Sequence, residues 1–217
     1  MDRIMNFDDF LISLTKVKNL PLPAQVSQLK MSPPFRLELI EMSKDKMKRA
    51  NKAGVMALFY PDKQQQTKLV LILRNTYNGV HSGQIGFPGG KFQPNDVSLE
   101  KTAIRETSEE IGIPEQSIEI IKQLTEVYIP PSNFYVQPFL GIIKDTPTFN
   151  KQDDEVEEII EVLLNHLFNE LNVINTSVET SYKIKVEVPA YKLNGHIVWG
   201  ATAMMLSEIK DLLKKVL

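Results

Sequence analysis

Apolar and polar positions alternate along this chain in patterns that change period several times. Phe7, Phe10, Leu11 and Leu14 recur at helical spacing, which predicts a helix over residues 1–20. Residues 21–36 carry Pro21, Pro23, Pro33 and Pro34 and read as an irregular connector. Two short apolar runs, GVMALFY at 54–60 and KLVLIL at 68–73, flank a polar turn and predict a buried hairpin. A glycine-rich loop follows, and a helix is expected over about 97–111. Residues 117–129 and 136–143 read as strands, 152–169 as an acid-capped helix, 182–193 as a strand or hairpin, and 199–217 as a C-terminal helix. Strands on both sides of intervening helices imply an α/β layered fold with a mixed sheet.

Composition narrows the class. The 217 residues suit one domain, or one domain with appended elements: an N-terminal helix and connector over 1–36 and a single domain over 37–217. With 42% apolar and 24% charged residues, a sizeable core needs no covalent help. Cysteine is absent, which excludes disulfides, thiolate metal sites and a cysteine nucleophile. His81, His166 and His196 lie far apart, without the spacing of a histidine zinc site. A net charge of −2 offers no general attraction for nucleic acid phosphates. The N-terminal stretch lacks the layout of a secretory signal, and no run of about 18 apolar residues predicts a membrane helix. A cytoplasmic location is the default expectation.

The chemistry concentrates in one segment. On a helix over 97–111, Glu106, Glu109 and Glu110 fall within an arc of about 100°. Ala103, Ile104, Thr107 and Ile111 fall on another arc and can face a sheet. Gly112 and Pro114 stop the helix. Like charges on one face repel, by a few tenths of a kcal/mol per pair (about 0.2–0.5). A hard divalent ion such as Mg²⁺ turns that repulsion into coordination. Arg105 stands beside the acids and can orient a carboxylate through a forked pair of hydrogen bonds. Upstream, Pro88-Gly89-Gly90 lets backbone approach a metal or phosphate closely, and Gly90 offers a carbonyl.

From Gly90 to Ile113 the chain resembles the Nudix box: a glycine, an acid (Asp96), then Arg105-Glu106, Glu109-Glu110, Gly112 and an apolar residue. The resemblance implies an α/β/α sandwich whose box, at about 90–113, forms a loop–helix–loop carrying Mg²⁺ or Mn²⁺. It also implies hydrolysis of a diphosphate bond. Glu106, Glu109 and Glu110 would be catalytic and metal-binding, with Arg105 in support, the Gly90 carbonyl as a further ligand and Glu155 as an added one from the acidic run at 153–158. Asp96 stands in place of the usual glutamate, Arg105 lies one residue further from Gly90 than the family pattern has, and Thr107 replaces an aliphatic residue.

Arg74 and the stretch HSGQIGFPGG at 81–90 resemble the signature of the coenzyme A pyrophosphatase branch. So do Pro130-Pro131-Ser132-Asn133, Asp154-Glu155-Val156 and Trp199-Gly200-Ala201-Thr202-Ala203, and the likeness spans about 52–206. It implies coenzyme A as substrate, a small-molecule nucleotide partner rather than nucleic acid or membrane, and a homodimer. Arg74, His81, Gly83 and Lys91 would meet the substrate. Gly79 stands where that signature usually has a second arginine, so ADP-ribose, NADH or a dinucleoside polyphosphate is the alternative substrate. A non-catalytic nucleotide-sensing domain is the alternative of another class, which the three box glutamates disfavour. Trp199 reads as a core or interface anchor, with stacking on an adenine as the other reading.

Overall fold

The computed structural model describes residues 5–76, 83–179 and 185–217. Helix α1 (Phe7–Val17) starts where Asn6 caps it, its side chain accepting from the Asp8 N–H at 2.9 Å, with Asp8 and Asp9 in the first turn. Its buried face is Phe7, Phe10, Leu14 and Val17, and Phe10 packs on Phe59 with ring centroids 5.1 Å apart.

The connector is more ordered than its prolines suggest. It holds α2 (Ala24–Gln28) and a 3₁₀ turn, and α3 (Arg36–Met42) and α4 (Lys44–Met47) follow. Pro23 sits just ahead of α2, where a missing N–H costs nothing. Tertiary contact fixes the rest: buried Gln28 donates to Glu208 at 3.0 Å and to the Thr125 carbonyl at 3.1 Å.

The central sheet is mixed. Strand β1 (Asn51–Pro61) runs parallel to β7 (Phe134–Ile142) and antiparallel to β2 (Thr67–Arg74) and β4 (Gly89–Lys91). The hairpin expected from the apolar runs is present, but it pairs only at its closed end, Phe59↔Leu69 to Pro61↔Thr67. Beyond that the strands diverge: β1 takes β4 at Ala53–Val55, and β2 takes β3 (Ile85–Gly86) at Ile72 and Leu73. The glycine-rich loop is thus wedged into the opening between β1 and β2. β5 (Glu119–Gln123) and β6 (Val127–Ile129) both pair with β7.

Helix α5 (Leu99–Ile111) covers one face of the sheet, and α1 with α7 (Gly200–Leu213) covers the other. Alternate β1 side chains serve the two layers, Met56, Leu58 and Tyr60 toward α5 and Val55, Ala57 and Phe59 away from it. A strand buried on both faces reads as a continuous apolar run. This is the α/β/α sandwich with added terminal helices that the sequence led us to expect.

One element differs in kind. The helix expected over 152–169 is instead strand β8 (Val156–Leu163), antiparallel to β2, with only the short α6 (Leu164–Phe168) after it. Val156, Ile159, Ile160 and Val162 are β-branched and suit a pleated surface, and β2 offers them an open edge. Ile160, Val162 and Leu164 point inward while Glu161 points out. A smaller antiparallel sheet, β9 (Val173–Glu179), β10 (Lys185–Leu193) and β11 (His196–Trp199), precedes α7. Among the described residues no helix is long and apolar enough to cross a membrane.

Candidate active site

Helix α5 is positioned from both ends. Ser98 caps its start by accepting from the Lys101 N–H at 3.2 Å, and Gly112 ends it at φ 74°, a left-handed conformation suited to glycine. The carbonyls of Glu110 and Ile111 accept from the N–H groups of Gln152 and Asn150, each at 3.0 Å. These bonds fasten the segment before β8, and with it Glu155, to the end of the carboxylate helix. Thr107 is fully buried, and its hydroxyl donates to the Ala103 carbonyl at 2.6 Å. It therefore occupies an aliphatic position without leaving an unpaired group.

Arg105 organises three carboxylates. Its Nε and Nη2 form a fork on Asp96 at 2.9 and 3.0 Å, Nη1 donates to Glu109 at 2.8 Å, and Nη2 lies 2.8 Å from Glu106. Asp96 also accepts from Thr102 Oγ1 and the Gln93 N–H, each at 2.9 Å. The hydrogen bonds from Arg105 hold the Asp96 carboxyl well below the usual carboxylate range. The fork thus lands on the acid of the preceding loop, with the glutamates taking the remaining donors.

Glu110 is buried, with 1% of its surface exposed. It accepts from the Gly89 N–H at 2.7 Å and lies 3.4 Å from Arg74 Nη2, which also donates to the Gly89 carbonyl at 2.6 Å. Burial outweighs the attraction of Arg74 and raises the Glu110 carboxyl to about 7. Burial likewise raises Glu106. The exposed Glu155 adds to both shifts through its charge, which places it near the pair.

Among the described residues no three acidic or imidazole groups converge as a ready metal cluster, and Arg105 and Arg74 lie against the carboxylates. Two observations nevertheless fit a divalent ion. Glu110 Oε1 is buried with no hydrogen-bond donor among the described residues. Gly90 faces the Glu106 carboxylate so closely that a Cβ there would overlap it. A buried carboxylate oxygen without a hydrogen-bond donor, beside a glycine that leaves room next to a second carboxylate, suits the hard oxygen coordination Mg²⁺ prefers.

A cavity of about 360 Å³ opens beside this cluster. Arg74, Lys91 and Gly90 line it near the carboxylates. Gln84 is also in the wall, whereas Gly83, at φ 62°, is not. His81 and Gly79 lie outside the described residues. Trp199 is partly exposed and lines the cavity, so the core-anchor reading gives way to a wall of the site. Phe35, Arg36 and Leu39, outside every motif in the sequence, line the cavity from the N-terminal side. An aromatic and an arginine directly after two prolines were the available signal.

Comparison with known proteins agrees with this geometry. The family model described as the NUDIX domain matches residues 50–179. A protein named as an uncharacterized Nudix hydrolase, NudL, from Enterobacter sp. (strain 638) is 30% identical over 81% of this chain and 88% of its own length. NudL of Yersinia enterocolitica is 38% identical over 44% of this chain, a match spanning only about half (49%) of that relative. Among solved structures, the Nudix hydrolase RenU from M. Smegmatis superposes with a TM-score of 0.54 at 13% identity, covering 77% of this chain and 88% of that one. A MutT/nudix family protein from Enterococcus faecalis gives 0.51 at 21%, covering 76% and 62%. Such identities speak to the fold alone. With the family model spanning more than half of the sequence, and the acids of the box gathered toward the end of one helix, this chain belongs to the Nudix hydrolase family.

Proposed function

We propose that this protein hydrolyses the diphosphate of coenzyme A, giving 3′,5′-ADP and 4′-phosphopantetheine. The observation that carries the reading is the cavity whose cationic side chains, Arg74 and Lys91, adjoin the Glu106–Glu110 cluster. Its apolar and aromatic wall, including Phe134 and Trp199, suits the non-phosphate parts of such a substrate.

Glu106, Glu109 and Glu110, with the Gly90 carbonyl and Glu155, would hold Mg²⁺ or Mn²⁺. When bound, the ion neutralises charge on the phosphoryl oxygens and makes water a better nucleophile. The chain's own groups do the positioning. Arg74 and Lys91 orient the diphosphate oxygens, and Arg105 sets the carboxylates while Asp96 holds Arg105. Glu109, 55% exposed, would share the coordination or accept the proton of the attacking water. One phosphorus gains the water oxygen, the bridging oxygen leaves with the other phosphate, and the water's proton passes through a cluster carboxylate, Glu109 in this reading, to solvent. The cytoplasmic location expected by default and the homodimer implied by the resemblance belong to this reading.

A second reading keeps the chemistry and changes the substrate to ADP-ribose, NADH or a dinucleoside polyphosphate; Gly79 favours it, since the branch signature carries an arginine there. Chromatographic product analysis over these four substrates with Mg²⁺ separates the two. The proposal expects 3′,5′-ADP from coenzyme A, abolished by EDTA. Turnover of another substrate with coenzyme A untouched would overturn it.

A further inference from the structure

The cationic side chains of the cavity have unlike partners. Its charged lining side chains are Arg36, Arg74 and Lys91, and none is acidic. Arg74 is committed to Glu110 and the Gly89 carbonyl. Arg36, at the start of α3, is partly buried and donates one N–H to the Tyr128 carbonyl at 2.7 Å.

No carboxylate among the described residues pairs with Arg36, and burial alone lowers its pKa from the ordinary arginine value. A guanidinium carries five N–H donors, so this contact leaves most of its fork unused. Withdrawing a cation from water without a counter-charge is costly. The cost is recovered when an anion enters the cavity, and the planar fork matches phosphate. Phe35 and Trp199, in the same lining, offer faces on which a base can rest.

We propose that Arg36 anchors a phosphomonoester on the nucleotide half of the substrate, away from the diphosphate that is cleaved, and so determines specificity. The inference rests on the reaction proposed above and deepens it. The segment before the central sheet then supplies a phosphate contact of its own.

The test is calorimetric binding of adenosine 3′,5′-bisphosphate and of adenosine 5′-monophosphate to the full chain, wild type and Arg36→Gln. Kinetics on coenzyme A and dephospho-coenzyme A run alongside. A charge-assisted contact to phosphate corresponds to about ten- to hundredfold in affinity. Wild type should prefer the bisphosphate by that factor, and Arg36→Gln should abolish the preference while leaving monophosphate affinity unchanged. Arg36→Lys should restore part of it. Equal binding of the two nucleotides by wild type, no binding of either, or an equal loss for both in Arg36→Gln would overturn the proposal. An equal loss would mark a structural tie to Tyr128. Bisphosphate selectivity without coenzyme A turnover sustains Arg36 and sinks the substrate reading. Coenzyme A turnover with equal effects of Arg36→Gln on both coenzymes does the reverse.

Discussion

Replacing Asp96 with asparagine removes one negative charge and keeps the shape of the side chain. Asp96 has a side chain 5% exposed and accepts from Arg105 Nε, Arg105 Nη2, Thr102 Oγ1 and the Gln93 N–H at 2.9–3.0 Å. Removing one partner of a buried ion pair costs about 3–5 kcal/mol, and a single charge-assisted hydrogen bond about 1.5–3. Arg105 is 19% exposed and retains Glu106 and Glu109, so the expected loss is about 2–4 kcal/mol. For a chain of this size each kcal/mol lowers Tm by about 2–4 °C, which gives a fall of roughly 5–15 °C. The pH dependence has a fixed sign. The Asp96 carboxyl titrates below its ordinary value in the folded protein, so its contribution is complete above the unfolded pKa and lost as pH falls toward the folded one. The gap between wild type and Asp96→Asn should be constant above about pH 5 and narrow below about pH 4. Urea unfolding across pH measures it. A gap under about 0.5 kcal/mol at pH 7, or one that widens in acid, would refute the placement of Asp96 as the anchor of Arg105.

Other substitutions probe other parts of the site. Gly90→Ala puts a Cβ onto the Glu106 carboxylate, the far end of a flexible side chain, and should displace that carboxylate with little loss of stability while lowering kcat about tenfold or more at saturating Mg²⁺; paired melting and steady-state assays check both. Arg74→Lys keeps the charge, but its shorter side chain has to bring one ammonium to the place where Arg74 Nη2 meets both Glu110 and the Gly89 carbonyl. It should lose about 1–2 kcal/mol of stability by chemical denaturation, and unchanged stability would show that the Nη2 contacts contribute nothing. Trp199→Ala should raise KM roughly tenfold with little change in kcat or Tm, because the ring lines the cavity; a large Tm loss with KM unchanged would return it to a core role.

The carboxylate helix was legible because its acids have helical spacing and its stop signals are local, Gly112 and Pro114. The doubly buried hairpin strands were legible from uninterrupted apolar runs. The strand at 156–163 was misread because acids crowd its β-branched core positions, and only the open edge of β2 decides the matter. The helix after Pro23 was hidden for a similar reason: Gln28 is drawn in by Glu208 and Thr125, residues about a hundred or more positions away. Within the site, the acids could be found from spacing, but the division of labour between two arginines could not. Arg105 meets acids within nine residues of itself, whereas Arg74 reaches Glu110 only because β2 and β4 converge on the end of α5. The cavity walls at Phe35, Arg36 and Trp199 come from opposite ends of the chain and exist only once it folds.

The central claim is that the Glu106–Glu110 cluster carries diphosphate hydrolysis, and Glu110→Gln tests it most directly. The variant keeps an acceptor for the Gly89 N–H and removes the charge beside Arg74. Its kcat on coenzyme A with Mg²⁺ should fall at least about a hundredfold, as when a principal charge-stabilising group is lost, with circular dichroism showing the fold intact. Near-normal turnover by a folded Glu110→Gln protein would contradict the account.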